Sequence, residues 1–191
     1  PRADEEQDPT TVSQGVAYTV KKIRESLVAG EGPKLRLLPE RITGKEILAQ
    51  LPEQLILPRG GGDMILGLEE SRLGPLLFNT RSESHLYLFG DAKTGKTAFL
   101  RSIIQEITRL YSPSEAKIVA LDMRRSLLGD IPEDYSLRYL TNHQEAIGQL
   151  RDLAKFMRTR LPGSDVTAEQ IRERTWWSGP EVWILVDDYD L

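Results

Sequence analysis

The stretch LYLFGDAKTGKTAFLRSII, from Leu86 to Ile104, constrains this chain more than any other. An apolar run ends at Gly90, a polar loop follows, and an apolar pattern of longer period begins after Thr97. The residues Gly90-Asp91-Ala92-Lys93-Thr94-Gly95-Lys96-Thr97 satisfy G-x-x-x-x-G-K-[ST] without a mismatch. Each constraint has a physical cause. The glycines let the backbone turn tightly and aim successive N–H groups at phosphate oxygens. The helix that follows adds its unpaired N-terminal donors and its dipole. This pattern predicts an ATP site over residues 90–98, closed by Ala98 in the first helical turn. Lys96 is expected to reach the β- and γ-phosphates, and Thr97 to offer its hydroxyl to Mg²⁺.

A site of this kind needs a second half, an apolar strand ending in a carboxylate. The segment VWILVDD at 182–188 supplies it. Asp187 is expected to hold Mg²⁺ through water. ATPases of this type usually place Glu next, to polarise the attacking water; here the residue is Asp188. The carboxylate is kept but loses one methylene, about 1.5 Å of reach, and a misplacement of that size costs on the order of 100-fold in rate. Lys96 and Asp188 are the candidate catalytic residues of a site expected to bind ATP well and turn it over poorly.

The rest of the chain alternates strands and helices. MILGL and PLLFNT predict two short strands, HLYLFG a buried strand ending at Gly90, and residues 97–110 a helix buried through Phe99, Leu100, Ile103, Ile104, Ile107 and Leu110. AKIVALD at 116–122 predicts a buried strand and LRYLT a short one. Asn142, with Glu145 three residues on, opens a helix whose stripe is Ile147, Leu150, Leu153, Ala154, Met157 and Leu161, stopped by Pro162-Gly163. A short helix is expected over 167–174. Such alternation predicts an α/β fold, a mostly parallel sheet with helices on both faces.

Upstream, Val12, Val16, Val20, Ile23 and Leu27 fall on one helical face, and GEGP at 30–33 ends that helix. Residues 34–62 read as an irregular connection, with an extended piece in KLRLLPERI, a short helix capped by Thr43 and Glu46, and a turn at PRGGGD. The expected organisation is therefore a tail helix and linker over 1–33, an inter-module linker over 34–62, and an ATPase domain over 63–191. The absence of cysteine removes disulfides and thiolate metal sites. No run of 18 apolar residues is present, and PRADEEQDPTT does not read as a signal peptide. A net charge of -4 argues against a broad nucleic-acid surface, because phosphate binding needs a positive field.

HLYLFGDAKTGKTAFLRSI, LDMRRSLL and GPEVWILVDDYDL together resemble the FtsK/SpoIIIE-like, EccC-type ATPase of type VII (ESX) secretion, and more narrowly a C-terminal module of it. The Asp-Asp-Tyr-Asp ending and the Arg-Arg-x-Leu-Leu after the second core strand discriminate; the nucleotide motifs alone fit many families. The resemblance implies a P-loop NTPase of RecA-like fold with ATP and Mg²⁺ as cofactors. It implies further ATPase modules as partners, in a hexameric assembly. It also implies a cytoplasmic place beside the inner membrane, on a membrane secretion complex. The implied cargo is small helical-hairpin proteins whose C-terminal signal docks on a terminal module. A RecA-like core continues beyond its second motif with more strands, a sensor residue and an arginine finger. The sequence stops three residues after Asp188, so a fragment is expected. Two other functions share these motifs: a DNA translocase, and a non-catalytic ATP-binding receptor module.

Arg124 and Arg125 read as ion-pair residues or, alternatively, as contacts to a phosphate or a neighbouring module. His85 and His143 have no third ligand at metal spacing. Trp176 and Trp177 read as packing residues, or as part of a partner surface.

Overall fold

A computed structural model describes residues 9–26, 37–51 and 63–189. The expected helix stop at 30–33, most of the 58–63 turn and the start of KLRLLPERI lie outside the described residues. The chain forms two units, residues 1–37 and 38–191. In the first, helix α1 (Pro9–Ser26) carries Val16, Val20 and Ile23 of the expected apolar face, all exposed, while Leu27 lies outside the described residues.

In the second unit, α2 (Gly44–Gln50) begins with the full capping box. The Thr43 side chain accepts from the Glu46 N–H, and the Glu46 carboxylate accepts from the Thr43 N–H. Ile47 and Leu51 pack on Ile65 of β1 (Asp63–Leu68). That strand pairs antiparallel with β2 (Pro75–Asn79) as a separate two-stranded sheet.

The main sheet holds β3 (Ala116–Asp122), β4 (Ser136–Leu140) and β5 (Glu181–Asp187) in the order β4-β3-β5, all parallel. Alternation along β3 sends its side chains to both faces. Ala116 and Ile118 meet Ile103, Ile104, Ile107 and Leu110 of α3 (Lys96–Leu110). Val119, next along the strand, packs with Leu140 and with Ala146 of α4 (His143–Arg158). Helices thus cover both faces, as the alternation of the sequence predicts. Asn142 caps α4 by accepting from the Glu145 N–H at 2.8 Å, but the Glu145 carboxylate takes its return bond from the Asn142 side-chain amide. Helix α5 (Ala168–Glu173) leads into β5.

Two expectations fail. Residues 85–90, read as a buried strand, join no ladder; Tyr87 and Phe89 are 71% and 88% exposed. An apolar run of that kind needs a neighbour for its N–H and C=O groups to become a strand. Among the described residues β5 is paired only to β3, and nothing pairs with 85–90. The α4 stripe also lies largely open. Ile147, Ala154, Met157 and Leu161 are exposed, and the fully buried residue is Ala146, which the stripe omits. A three-stranded sheet is too narrow to cover the whole face that the periodicity marks.

Candidate functional site

The loop from Gly90 turns into α3 at Gly95, whose φ of 98° lies in the left-handed region. A side chain there would strain the turn. At Gly90 the constraint is space, since a Cβ would stand 2.6 Å from Thr94 Oγ1. Thr94 Oγ1 itself donates to the Asp91 carbonyl at 2.8 Å, tying the loop to its own backbone. Lys93 holds φ 65°, a strained choice for a residue with a side chain. Gly95 has no side chain with which to cap α3. The first-turn N–H groups of α3 have no acceptor within the helix and are left for a ligand. Lys96 Nζ donates to the carbonyls of Gly90 (2.8 Å) and Asp91 (2.9 Å), so the ammonium lies across the loop's own mouth.

The two halves predicted from sequence meet. Thr97 Oγ1 donates to Asp187 Oδ2 at 2.9 Å, across 90 residues of chain. Asp187 is buried at the C-terminal end of β5, where parallel α/β sheets place their ligands. Asp188 follows with φ 53° and lies beside Arg124, whose Nε is 3.1 Å from Oδ2. ATP-Mg²⁺ fits this donor set on the chain's own features: glycines where a Cβ has no room or no conformation, an uncapped helix start, a lysine, and a hydroxyl–carboxylate pair.

Three residues that sequence reasoning did not assign complete the surroundings. Asp122 ends β3 in register with Asp187 and is fully buried. Its Oδ2 accepts from Tyr139 Oη (2.5 Å) and from the Leu127 N–H (2.7 Å). Burial alone would raise this carboxyl, but the hydrogen bonds from Tyr139 and from backbone N–H groups outweigh it and hold it below the ordinary carboxylate value. Burial and the Asp122 bond push the Tyr139 phenol well above its usual value. Arg101, on α3, donates from Nε to Asp130 Oδ2 (2.7 Å) and from a terminal nitrogen to the Ser126 carbonyl (2.5 Å). The polar end of AKIVALD was the sequence signal for Asp122; Arg101 and Tyr139 had none, since their partners lie 17 or more residues away. Trp176 donates to the Arg160 carbonyl, and the Arg160 guanidinium stacks over Trp177, so both tryptophans are engaged within the chain.

The Asp122–Tyr139 bond has a pH signature. A depressed folded value means its stabilisation is whole above about pH 4, the unfolded carboxyl value, and is lost as pH falls through the folded value. Tyr139→Phe should cost about 2 kcal/mol at pH 7, as a bond to a charged group does. Thermal melts from pH 2 to 7 should show the variant with a lower Tm at neutrality and a shallower acid limb. Parallel curves would dismiss the coupling.

Comparison with known proteins agrees with this geometry. The family model described as "FtsK/SpoIIIE family" matches residues 62–178. The ESX secretion system protein EccC of Thermomonospora curvata is 34% identical over the whole chain, which spans 14% of that protein. The ESX-4 secretion system protein EccC4 of Mycobacterium tuberculosis is 35% identical over 83% of the chain, covering 12% of its own length. Among solved structures, Thermomonospora curvata EccC (ATPases 2 and 3), in complex with a signal sequence peptide, superposes with a TM-score of 0.73 at 34% identity. That match covers all of this chain and 33% of the other. The fold is that of a P-loop NTPase.

Proposed function

The chain belongs to the FtsK/SpoIIIE family, and from that premise we propose that it is an ATP-binding module of a type VII secretion ATPase. Its work is to couple ATP binding or hydrolysis to export of small helical-hairpin proteins and to dock their C-terminal signal. The observation that carries the nucleotide reading is the Thr97–Asp187 bond, which joins the phosphate loop to the carboxylate at the end of β5. The export reading rests on the similarity to EccC proteins, the longer chains of which this one spans a small part. Peptide docking is carried over from the signal peptide bound to the Thermomonospora curvata protein.

The roles divide as follows. Backbone N–H groups of residues 90–98 bind the phosphates, with Lys96 leaving its two carbonyls to join them. Thr97 and Asp187 hold Mg²⁺, which when bound neutralises charge developing on the transferred phosphoryl group. Asp188 orients the attacking water. Its partners are further ATPase modules in a hexameric assembly and a membrane secretion complex at the cytoplasmic face of the inner membrane. No helix among the described residues is long and apolar enough to cross a membrane.

One sample tests the proposal. Isothermal titration should show ATP-Mg²⁺ binding, and phosphate release should run below about 1 s⁻¹, because Asp188 is shorter than the usual Glu. Fluorescence anisotropy should then show micromolar or weaker binding of a labelled signal peptide, the range of a small interface. A scrambled peptide binding equally well, or duplex DNA binding more tightly than either at 150 mM salt, would remove the main support of the secretion reading, and the second result would favour a DNA translocase.

A further inference from the structure

We propose that Arg124 is a positioning residue that latches the Asp188 carboxylate, and that α3 sets the latch through Arg101. The proposal rests on the ATP reading above. Asp188 is turned out of the β5 path by its φ of 53°, and its Oδ2 lies 3.1 Å from Arg124 Nε. A carboxylate that orients a water needs a free oxygen pointed at it. A guanidinium on Oδ2 takes one oxygen and fixes the direction of the other.

The arginine does not reach Asp188 from a loose loop. It rides on the turn after β3, which is held from several sides. The Asp122 carbonyl accepts from the Arg125 N–H (3.2 Å), and the Asp122 carboxylate from the Leu127 N–H (2.7 Å). The Leu127 side chain is wholly buried in the α3 cluster. Arg101 grips the far side of the turn through Ser126 and Asp130. Arg101 stands on the helix that begins with Lys96, so the turn that carries Arg124 is tied to the same helix as the loop. The Arg124 side chain is 63% exposed and that of Asp188 20%, so the pair contributes little to stability; its consequence is where it holds the carboxylate.

The latch and a phosphate-binding arginine predict opposite kinetics. In the full chain, Arg124→Ala should raise turnover about 3- to 10-fold and leave ATP-Mg²⁺ affinity within about twofold. Arg124→Lys, which keeps the charge, should restore the wild-type rate. The double variant with Asp188→Asn should lose the gain, since no carboxylate remains to be freed. Arg124→Gln keeps part of the stem and serves if the alanine variant melts early. Unchanged or reduced turnover, or no measurable turnover in any variant, overturns the latch while ATP binding stands. Affinity falling more than about fivefold makes Arg124 a phosphate ligand and overturns it too. Failure of the unaltered chain to bind ATP-Mg²⁺ removes the ATP reading and the latch together.

Discussion

Lys96→Ala is expected to weaken ATP-Mg²⁺ binding by 100-fold or more while leaving the fold unchanged. The two halves of that result have separate causes. The lysine's hydrogen bonds in the chain go to the exposed carbonyls of Gly90 and Asp91, both of which water can satisfy. Removing it therefore costs little stability, within the ±0.5 kcal/mol of an ordinary surface change. Bound nucleotide is different. Charge-assisted bonds from an ammonium to two phosphates contribute roughly 1.5–3 kcal/mol each, and 1.4 kcal/mol is tenfold in affinity. Calorimetric titration reads the loss, and circular dichroism melting checks the fold. A variant that binds as the parent does would mean that residues 90–98 are not the site. A variant that melts far below the parent would mean that Lys96 serves the loop instead.

Ile107→Ala should be the most damaging small change in the helix that carries the loop, at about 2–5 kcal/mol. Ile107 is completely buried and packs in the cluster formed by Ile104, Leu110, Ile118 and Leu185, so truncation leaves a cavity between α3 and the sheet. Ile147→Ala on α4 is the control. It lies on the stripe that the sequence marks as apolar, but it is 57% exposed and should change stability by less than about 0.5 kcal/mol. Urea unfolding of both variants reads the contrast. Equal costs would mean that α4 is covered to the same degree as α3. If Ile107→Ala is harmless, α3 does not pack on the sheet as described.

The loop from Gly90 into α3 was the most legible part of the sequence because its features are local. Gly90, Gly95, Lys96 and Thr97 shape one tight turn into a helix, and consecutive residues leave a readable string. The carboxylate at the end of VWILVDD was legible for a related reason. A buried parallel strand is a continuous apolar run, and a charge at its end stands out. The caps at Thr43 and Asn142 belong to the same class, since each cap and its partner are three residues apart.

Local patterns thus mark which residues make the loop, the strand ends and the apolar helix faces. Apart from the Thr97–Asp187 pairing, which the two motifs anticipate, it is the packing of sheet and helices that brings these residues together. Thr97 and Asp187 are 90 residues apart, and the parallel register of β3 with β5 sets Asp122 beside Asp187. The contacts of Arg124 with Asp188, Arg101 with Asp130, and Tyr139 with Asp122 each join separate elements at the C-terminal end of the sheet. The same division explains the failures at 85–90 and on α4. Periodicity reports which side chains would leave water if a surface were offered. Burial requires that surface to be there, and a strand further requires a neighbour's hydrogen bonds, neither of which a residue pattern contains.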